Sequence, residues 1–288
     1  MIKNKGKIIK AISGFFYVAI DKDIYECNAR GILKKNGDKL LVGDNVEIEI
    51  ISNDKKLANI INLYPRKNKL IRPAISNIDQ MVVVMALSYP KPDFQVLDKI
   101  IINSMSKNIP IIILFNKAEE SDEKFISYIK NSYSQTKLPI IFTSAIHSDL
   151  NELRVLLDGK LSILSGNSGV GKSTIINKLL NCNMMETGNI SHKIKRGKHT
   201  TKHTEIFKIN NNTFIADTPG YGRFDLINIS RNELKKYYTE FNDINNCYFS
   251  ECSHTHEPRC GVKLAVDKGI ISRLRYDNYK KIYEELEE

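Results

Sequence analysis

Gly166-Asn167-Ser168-Gly169-Val170-Gly171-Lys172-Ser173-Thr174 is the stretch on which the reading of this 288-residue chain turns. An apolar run, Leu161 to Leu164, precedes it, and Ile175, Ile176, Leu179 and Leu180 follow at helical spacing. A strand, a glycine-rich turn and a helix start form the setting in which G-x-x-x-x-G-K-[ST] binds phosphate. The residue types follow from the chemistry. Glycines let backbone N–H groups converge on a β-phosphate, and the helix start adds partial positive charge. Lys172 can reach the β and γ oxygens, and Ser173 can hold a magnesium ion that bridges them. A plain glycine-rich turn opening a helix is the bland alternative; the flanking elements favour nucleotide binding.

Outward from this loop the chain has the texture of a doubly wound α/β domain. Met81–Leu87 and Ile111–Phe115 are continuous apolar runs, as expected of strands buried on both faces. Phe94, Leu97, Ile100, Ile101 and Met105 recur at helical spacing between them, and Pro139–Phe142, Leu161–Leu164 and Phe214–Ala216 read as further strands. The run ending at Phe115 passes into Asn116-Lys117-Ala118-Glu119, which resembles the N-K-x-D guanine box of GTPases. After Ile140–Phe142 comes Thr143-Ser144-Ala145, similar to the S-A element that closes over the base. Glu119 stands where Asp is usual; one methylene moves the carboxylate by about 1.5 Å and is expected to weaken guanine selection without abolishing it. Asp217-Thr218-Pro219-Gly220 matches D-x-x-G, with Asp217 expected to hold magnesium and the Gly220 N–H to sense a γ-phosphate. Lys195-Arg196-Gly197-Lys198-His199-Thr200-Thr201-Lys202-His203 reads as a mobile switch loop, in which Thr201, preferred over Thr200, completes the magnesium shell.

The order of these motifs is unusual. The base boxes precede the phosphate loop, and nothing like N-K-x-D follows Gly220. Joining the old termini of the sheet and opening it after the second switch gives this order, so the domain is expected to be circularly permuted. Tyr221 occupies the position where Ras-type enzymes carry a water-orienting Gln. His199 is the local substitute for polarising water; a structural or RNA-contacting His is the alternative, and slow intrinsic turnover stimulated by a partner is expected.

Residues 1–68 alternate short β-type runs with turn signals: Lys7–Ile12, Phe15–Ile20, Ile24–Asn28, Val46–Ile51 and Lys56–Ile61. That pattern predicts a small β-barrel of the OB or SH3-like kind. Lys34, Lys35, Lys39, Lys55, Lys56, Arg66, Lys67 and Lys69 are expected to make its loops and edge positive, as in barrels that bind nucleic acid. Phe15, Phe16 and Tyr17 are stacking candidates or core. Residues 226–288 are expected to form a mainly helical module around Cys247-x4-Cys252-x-His254-x5-Cys260. Four soft or borderline ligands with no open position describe a closed zinc site, with His256 in reserve. Cys27 and Cys182 stand apart and look structural. Leu274, Tyr279, Ile282, Tyr283 and Leu286 give helical amphipathicity, and Arg259, Lys263, Lys268, Arg273 and Arg275 a second anion-binding surface.

Composition fits an anionic partner: 43 basic against 33 acidic side chains leave a formal charge of +10. No segment reads as a secretory leader, and the longest apolar run is far too short to span a bilayer. Clustered, metal-like cysteines point to a soluble cytoplasmic protein with reduced thiols.

Taken together, barrel (1–68), permuted P-loop GTPase domain (69–225) and C-x4-C-x-H-x5-C module (226–288) resemble the ribosome small subunit-dependent GTPase A family over essentially the whole chain. Supporting stretches are Arg72-Pro73-Ala74-Ile75-Ser76-Asn77-Ile78-Asp79-Gln80, Gly197-Lys198-His199-Thr200-Thr201 and Cys252-Ser253-His254-Thr255-His256-Glu257-Pro258. The resemblance implies a late-acting assembly factor with no membrane partner that binds the small ribosomal subunit and its RNA, hydrolyses GTP and departs, with the switch-loop His199 taking part in hydrolysis. Nothing in the sequence argues for self-association, so a monomer is expected. The competing classes are a nucleotide-gated RNA-binding protein without meaningful catalysis, and an ATP-using or zinc-handling P-loop protein, which the base boxes disfavour.

Overall fold

The computed structural model describes residues 3–29, 39–71, 73–181, 204–217 and 229–286. They pack as two compact units, Met1–Val82 with Ala145–Tyr221, and Val83–Ser144 with Gly222–Glu288.

The first unit begins with a closed five-stranded barrel. Its strands are β1 (Lys3–Ile12), β2 (Phe15–Ile20), β3 (Asp23–Ala29), β4 (Asn45–Ser52) and β5 (Leu57–Leu63), in the order β1-β2-β3-β5-β4. β1 is antiparallel to both β2 and β4, while β3 and β5 run parallel. This closure is OB-like. Alternate residues point inward, so Ile8, Val18, Tyr25, Cys27, Val46, Ile48, Ala58 and Ile60 form the barrel core. Of the aromatic candidates, Phe16 packs against that core, Phe15 is exposed, and the Tyr17 hydroxyl donates to Glu26 across the β2–β3 pair at 3.1 Å.

Part of the positive charge expected on the barrel is neutralised. Arg66 is not a surface cation: its guanidinium donates to both carboxylate oxygens of the fully buried Asp44, at 2.7 and 2.8 Å. Lys56 pairs with Asp23 and Lys67 with Asp79. Asp44 also accepts from the Ser76 hydroxyl at 2.6 Å and the Leu41 N–H at 2.8 Å. Lys34 and Lys35 lie outside the described residues.

Asp44 belongs to a junction that explains the stretch around Ile75–Gln80. Two short strands, β6 (Lys69–Leu70) and β7 (Ile75–Ser76), pair there. The Asn77 amide donates to Gly43 O, and its carbonyl accepts from Lys67 N–H. Asp79 then clamps the strand before the phosphate loop: its N–H donates to Leu161 O and its carboxylate accepts from Leu161 N–H, at 2.9 and 2.8 Å. Gln80 follows with a bond to the buried Ser162 hydroxyl.

The strands from residue 80 onward are β8 (Gln80–Ala86), β9 (Ile111–Asn116), β10 (Ile140–Phe142), β11 (Leu161–Ser165), β12 (Glu205–Lys208) and β13 (Phe214–Asp217). They form a six-stranded sheet in the order β10-β9-β8-β11-β13-β12. β10 is parallel to β9 and β11 to β13, with β12 antiparallel at the edge. Every residue of β8, β9 and β11 is buried, as the unbroken apolar runs require. The strand order displays the permutation. β11, which leads into the phosphate loop, has strands later in sequence on one side and earlier ones on the other.

Helices α1 (Phe94–Met105), α2 (Glu123–Tyr133), α3 (Asn151–Leu157) and α4 (Lys172–Leu180) connect these strands. Asp93 and Asp122 cap α1 and α2 by accepting from Val96 and Phe125 N–H groups. The second unit ends in 3-10 turns at Arg231–Tyr237 and Thr239–Phe241, then α5 (Gly261–Asp267) and α6 (Arg273–Glu285). Tyr238, Phe241, Val262, Tyr279 and Ile282 are among the buried residues of its core.

Arg275 departs from expectation. It does not belong to an anion-binding surface; with 2% of its side chain exposed, it donates to Asp98 on α1 and to Glu240. Asp98 further accepts from Tyr133 at 2.9 Å and Asn278 at 2.8 Å, and the guanidinium lies 4.4 Å from the Tyr238 ring centre. Burial opposes the Arg275 charge, but the Asp98 and Glu240 carboxylates more than compensate and hold its pKa well up. Burial pushes the Asp98 carboxyl upward in turn. Arg273 pairs with Asp267. Among the described residues no helix is long and apolar enough to cross a membrane.

Candidate nucleotide site and metal centre

The phosphate loop leaves the buried end of β11 and enters α4 with Gly171 as the cap. Gly166, Gly169 and Gly171 take φ values of +143°, +84° and +98°, which a side chain would oppose; the turn is possible because these positions are glycine. Lys172 bends back over the loop, its ammonium donating to Gly166 O at 2.7 Å and Asn167 O at 2.9 Å. Ser168 and Gly169 are exposed and Val170 is buried, so the loop is anchored by one apolar residue and open at its crest. Ser173 and Thr174 follow in the first turn of α4. Asp217 ends β13 and is paired in register with Leu164 of β11, two residues before Gly166. The D-x-x-G acid therefore stands on the strand next to the one that launches the loop.

Of the residues expected to recognise a base, Asn116, Lys117, Glu119 and Ser144 lie in the second unit and Ala145 opens the second stretch of the first. Asn116 is buried at the end of β9, and its carbonyl accepts from Leu87 N–H at 3.0 Å. Lys117 takes a left-handed φ of +62° and starts a 3-10 turn, Ala118–Glu120, that exposes Glu119 and Glu120. Ala118 N–H donates to Thr143 O at 3.1 Å, and Thr143 N–H to Phe115 O at 2.8 Å. These two bonds bring the N-K-A-E turn beside the start of the Thr143-Ser144-Ala145 segment, where Ser144 and Ala145 are buried. Gly220, Thr200, Thr201, His199, Tyr221 and Cys182 lie outside the described residues.

The four metal-ligand candidates also converge. One ligand atom each from Cys247, Cys252, His254 and Cys260 lies within 4.8 Å of all the others. His254 Nδ1 is 3.6 Å from Cys247 Sγ and 3.4 Å from Cys260 Sγ, and the latter two sulfurs are 4.0 Å apart. Tetrahedral zinc with bonds of about 2.0–2.3 Å separates its ligand atoms by about 3.5–3.8 Å, so the donor set and its spacing fit that ion. His256 is exposed and bonded to Thr255, outside the cluster. Burial pushes the Cys252 thiol up to about 12, and burial with Lys235 lowers the His254 imidazole. A cation would thus meet a neutral imidazole and would displace a thiol proton.

Supporting bonds hold the loop to the helices. Tyr276 and Tyr279 donate to His254 O and Ser253 O at 2.9 and 2.6 Å, and Lys235 donates to Cys252 O. Sequence reading missed this scaffold and the Asp98–Arg275 network behind it. One signal was present: Asp98 lies four residues after Phe94 and three before Ile101, a carboxylate inside an apolar helical stripe.

A permuted P-loop GTPase domain with an OB-like barrel before it and a Cys/His metal module after it defines the class of protein. Two family models match the chain, RsgA GTPase over residues 63–227 and RsgA N-terminal domain over residues 5–57. The chain belongs to the RsgA GTPase family. It is 41% identical to the small ribosomal subunit biogenesis GTPase RsgA of Ruminiclostridium cellulolyticum, covering 98% of this chain and 94% of the relative. The protein of the same name from Agathobacter rectalis is 42% identical, over 98% and 97%. The crystal structure of YjeQ from Thermotoga maritima superposes with a TM-score of 0.80 at 31% identity, over 99% of both chains. YloQ, described as a circularly permuted GTPase, gives 0.78 at 29% identity, over 99% of this chain and 95% of its own.

Proposed function

We propose that this chain is a GTP-hydrolysing assembly factor that binds the small ribosomal subunit, acts late in its maturation and is stimulated by the subunit. The observation that carries the reading is the phosphate loop, with three glycines at positive φ and Lys172 above it. The names of relatives aligned over nearly the whole chain support the choice of partner.

In this reading Gly166–Thr174 wraps the phosphates, and Lys172 neutralises charge that builds up as the γ-phosphoryl group leaves. Asn116, Lys117 and Glu119, with Ser144 and Ala145, select guanine. Ser173, Asp217 and Thr201 would hold magnesium, which supplies positive charge to the β and γ oxygens. His199 orients the attacking water, and Gly220 reports the γ-phosphate to the residues after it. Cys247, Cys252, His254 and Cys260 would hold one structural zinc. The modules 1–68 and 226–288, which flank the GTPase domain 69–225 in sequence, contact ribosomal RNA, and the protein works as a cytoplasmic monomer.

The test is steady-state GTP hydrolysis with and without purified small ribosomal subunits, with large subunits as control. Strong stimulation by small subunits alone is the expected result. Equal rates with and without them, together with equal subunit affinity in GDP and in a non-hydrolysable GTP analogue, would overturn the reading.

A further inference from the structure

The base box ends in Glu119 and a second carboxylate, Glu120, follows directly, where guanine needs one. Guanine presents N1–H and N2–H side by side, a pair that a single carboxylate accepts. A second free carboxylate in the same turn would compete for Lys117 and add repulsion beside the first.

The structure treats the two acids differently. The Ser88 hydroxyl donates to the Glu120 carboxylate, and Glu120 N–H donates to Lys117 O at 3.1 Å. The residues on either side of Ser88 hold the rest of the box: Leu87 N–H bonds Asn116 O at 3.0 Å, and Tyr89 O accepts from the Lys117 ammonium. Three consecutive residues leaving β8 thus each fasten one member of the turn. Glu119 is exposed and its side chain has no hydrogen-bond or ion-pair partner among the described residues.

We propose, resting on the reading of Asn116–Glu119 as the guanine box, that Ser88 is a positioning residue for specificity: it holds Glu120 aside and leaves Glu119 alone to read the base. A Ser88 side chain without its hydroxyl frees Glu120, which then draws on Lys117 and blurs the distinction between guanine and a base lacking the 2-amino group.

The experiment measures displacement of a fluorescent GDP analogue from the full chain by GDP and by IDP, whose hypoxanthine lacks that amino group. The ratio of the two affinities is the readout, because a general loss of affinity leaves it unchanged. Glu119→Gln is expected to remove most of the GDP preference and Glu120→Gln to preserve it. Ser88→Ala should reduce the preference about fivefold, the scale of one exposed charge-assisted hydrogen bond. Ser88→Thr should retain it, and Ser88→Ala made on Glu120→Gln should change nothing further. An unchanged ratio in Ser88→Ala, or an equal drop with and without Glu120, overturns the role of Ser88 while the guanine box stands. A full GDP preference in Glu119→Gln overturns the guanine-box reading itself, and the role of Ser88 with it.

Discussion

Glu257 shows how one carboxylate steadies the loop that carries the Cys/His cluster. It accepts N–H groups from Ser253 at 2.6 Å and Thr255 at 3.2 Å, residues that flank His254, one of the four candidate ligands. Burial alone would raise this carboxyl, but the bonds from Ser253 outweigh it and hold the pKa down to about 2, against an ordinary 4.5. A depressed carboxyl stabilises the fold fully above its ordinary value and loses that contribution as pH falls from 4.5 toward 2. Wild type should therefore lose stability across that window more steeply than Glu257→Gln, which has no proton to gain. After allowance for solvent screening the difference at neutral pH is about 1–2 kcal/mol. Urea midpoints measured from pH 3 to 6 check it, and parallel curves would refute it. Lys172 makes a contrasting case: its ammonium bonds carbonyls of its own loop. Lys172→Ala should weaken GDP binding at least tenfold, by equilibrium titration, with little change in the urea midpoint.

Among elements, the barrel junction leaves no room for a side chain at Gly43. Gly43 has a φ of +93°, and a Cβ there would lie 2.1 Å from Ser76 O. Gly43→Ala is expected to cost about 2–4 kcal/mol, read by chemical denaturation, because backbone rather than a flexible side chain must move. Strand and helix positions were legible here because their signals are local. Phe15–Ile20 is a strand as read, the apolar run at Ile111–Phe115 lies in β9, and the Cys247–Cys260 spacing brings four candidate ligands together. Arg66 and Arg275 were read as surface charge because nothing local marks a buried cation. Its burial is decided by a partner far along the chain: Asp44 lies 22 residues from Arg66, and Asp98 lies 177 from Arg275. The difference between Glu119 and Glu120 was hidden for the same reason, since Ser88 is 32 residues from Glu120.

At the scale of the whole molecule, the second unit is built from two stretches of chain, Val83–Ser144 and Gly222–Glu288, and its buried ionic network spans both. Removing one partner of such a network leaves an uncompensated charge in the interior. Arg275→Met is expected to cost about 3–5 kcal/mol, seen as a lowered denaturation midpoint, whereas the exposed Arg273→Met should change stability by under about 1 kcal/mol. The network also has a consequence for synthesis. A ribosome makes about 5–20 residues each second, so Asp98 is polymerised about 10–35 s before Arg275. Through most of that interval α1 carries a carboxylate whose charge has no buried cation to balance it, with Tyr133 the one early hydrogen-bond donor among its partners named above. The stretch that holds Asn116 and Lys117 is therefore expected to close firmly around its core only after α6 has been made. Chains stalled before α6 are expected to be cut by protease within Val83–Ser144 more readily than the full chain, and equal resistance would refute this.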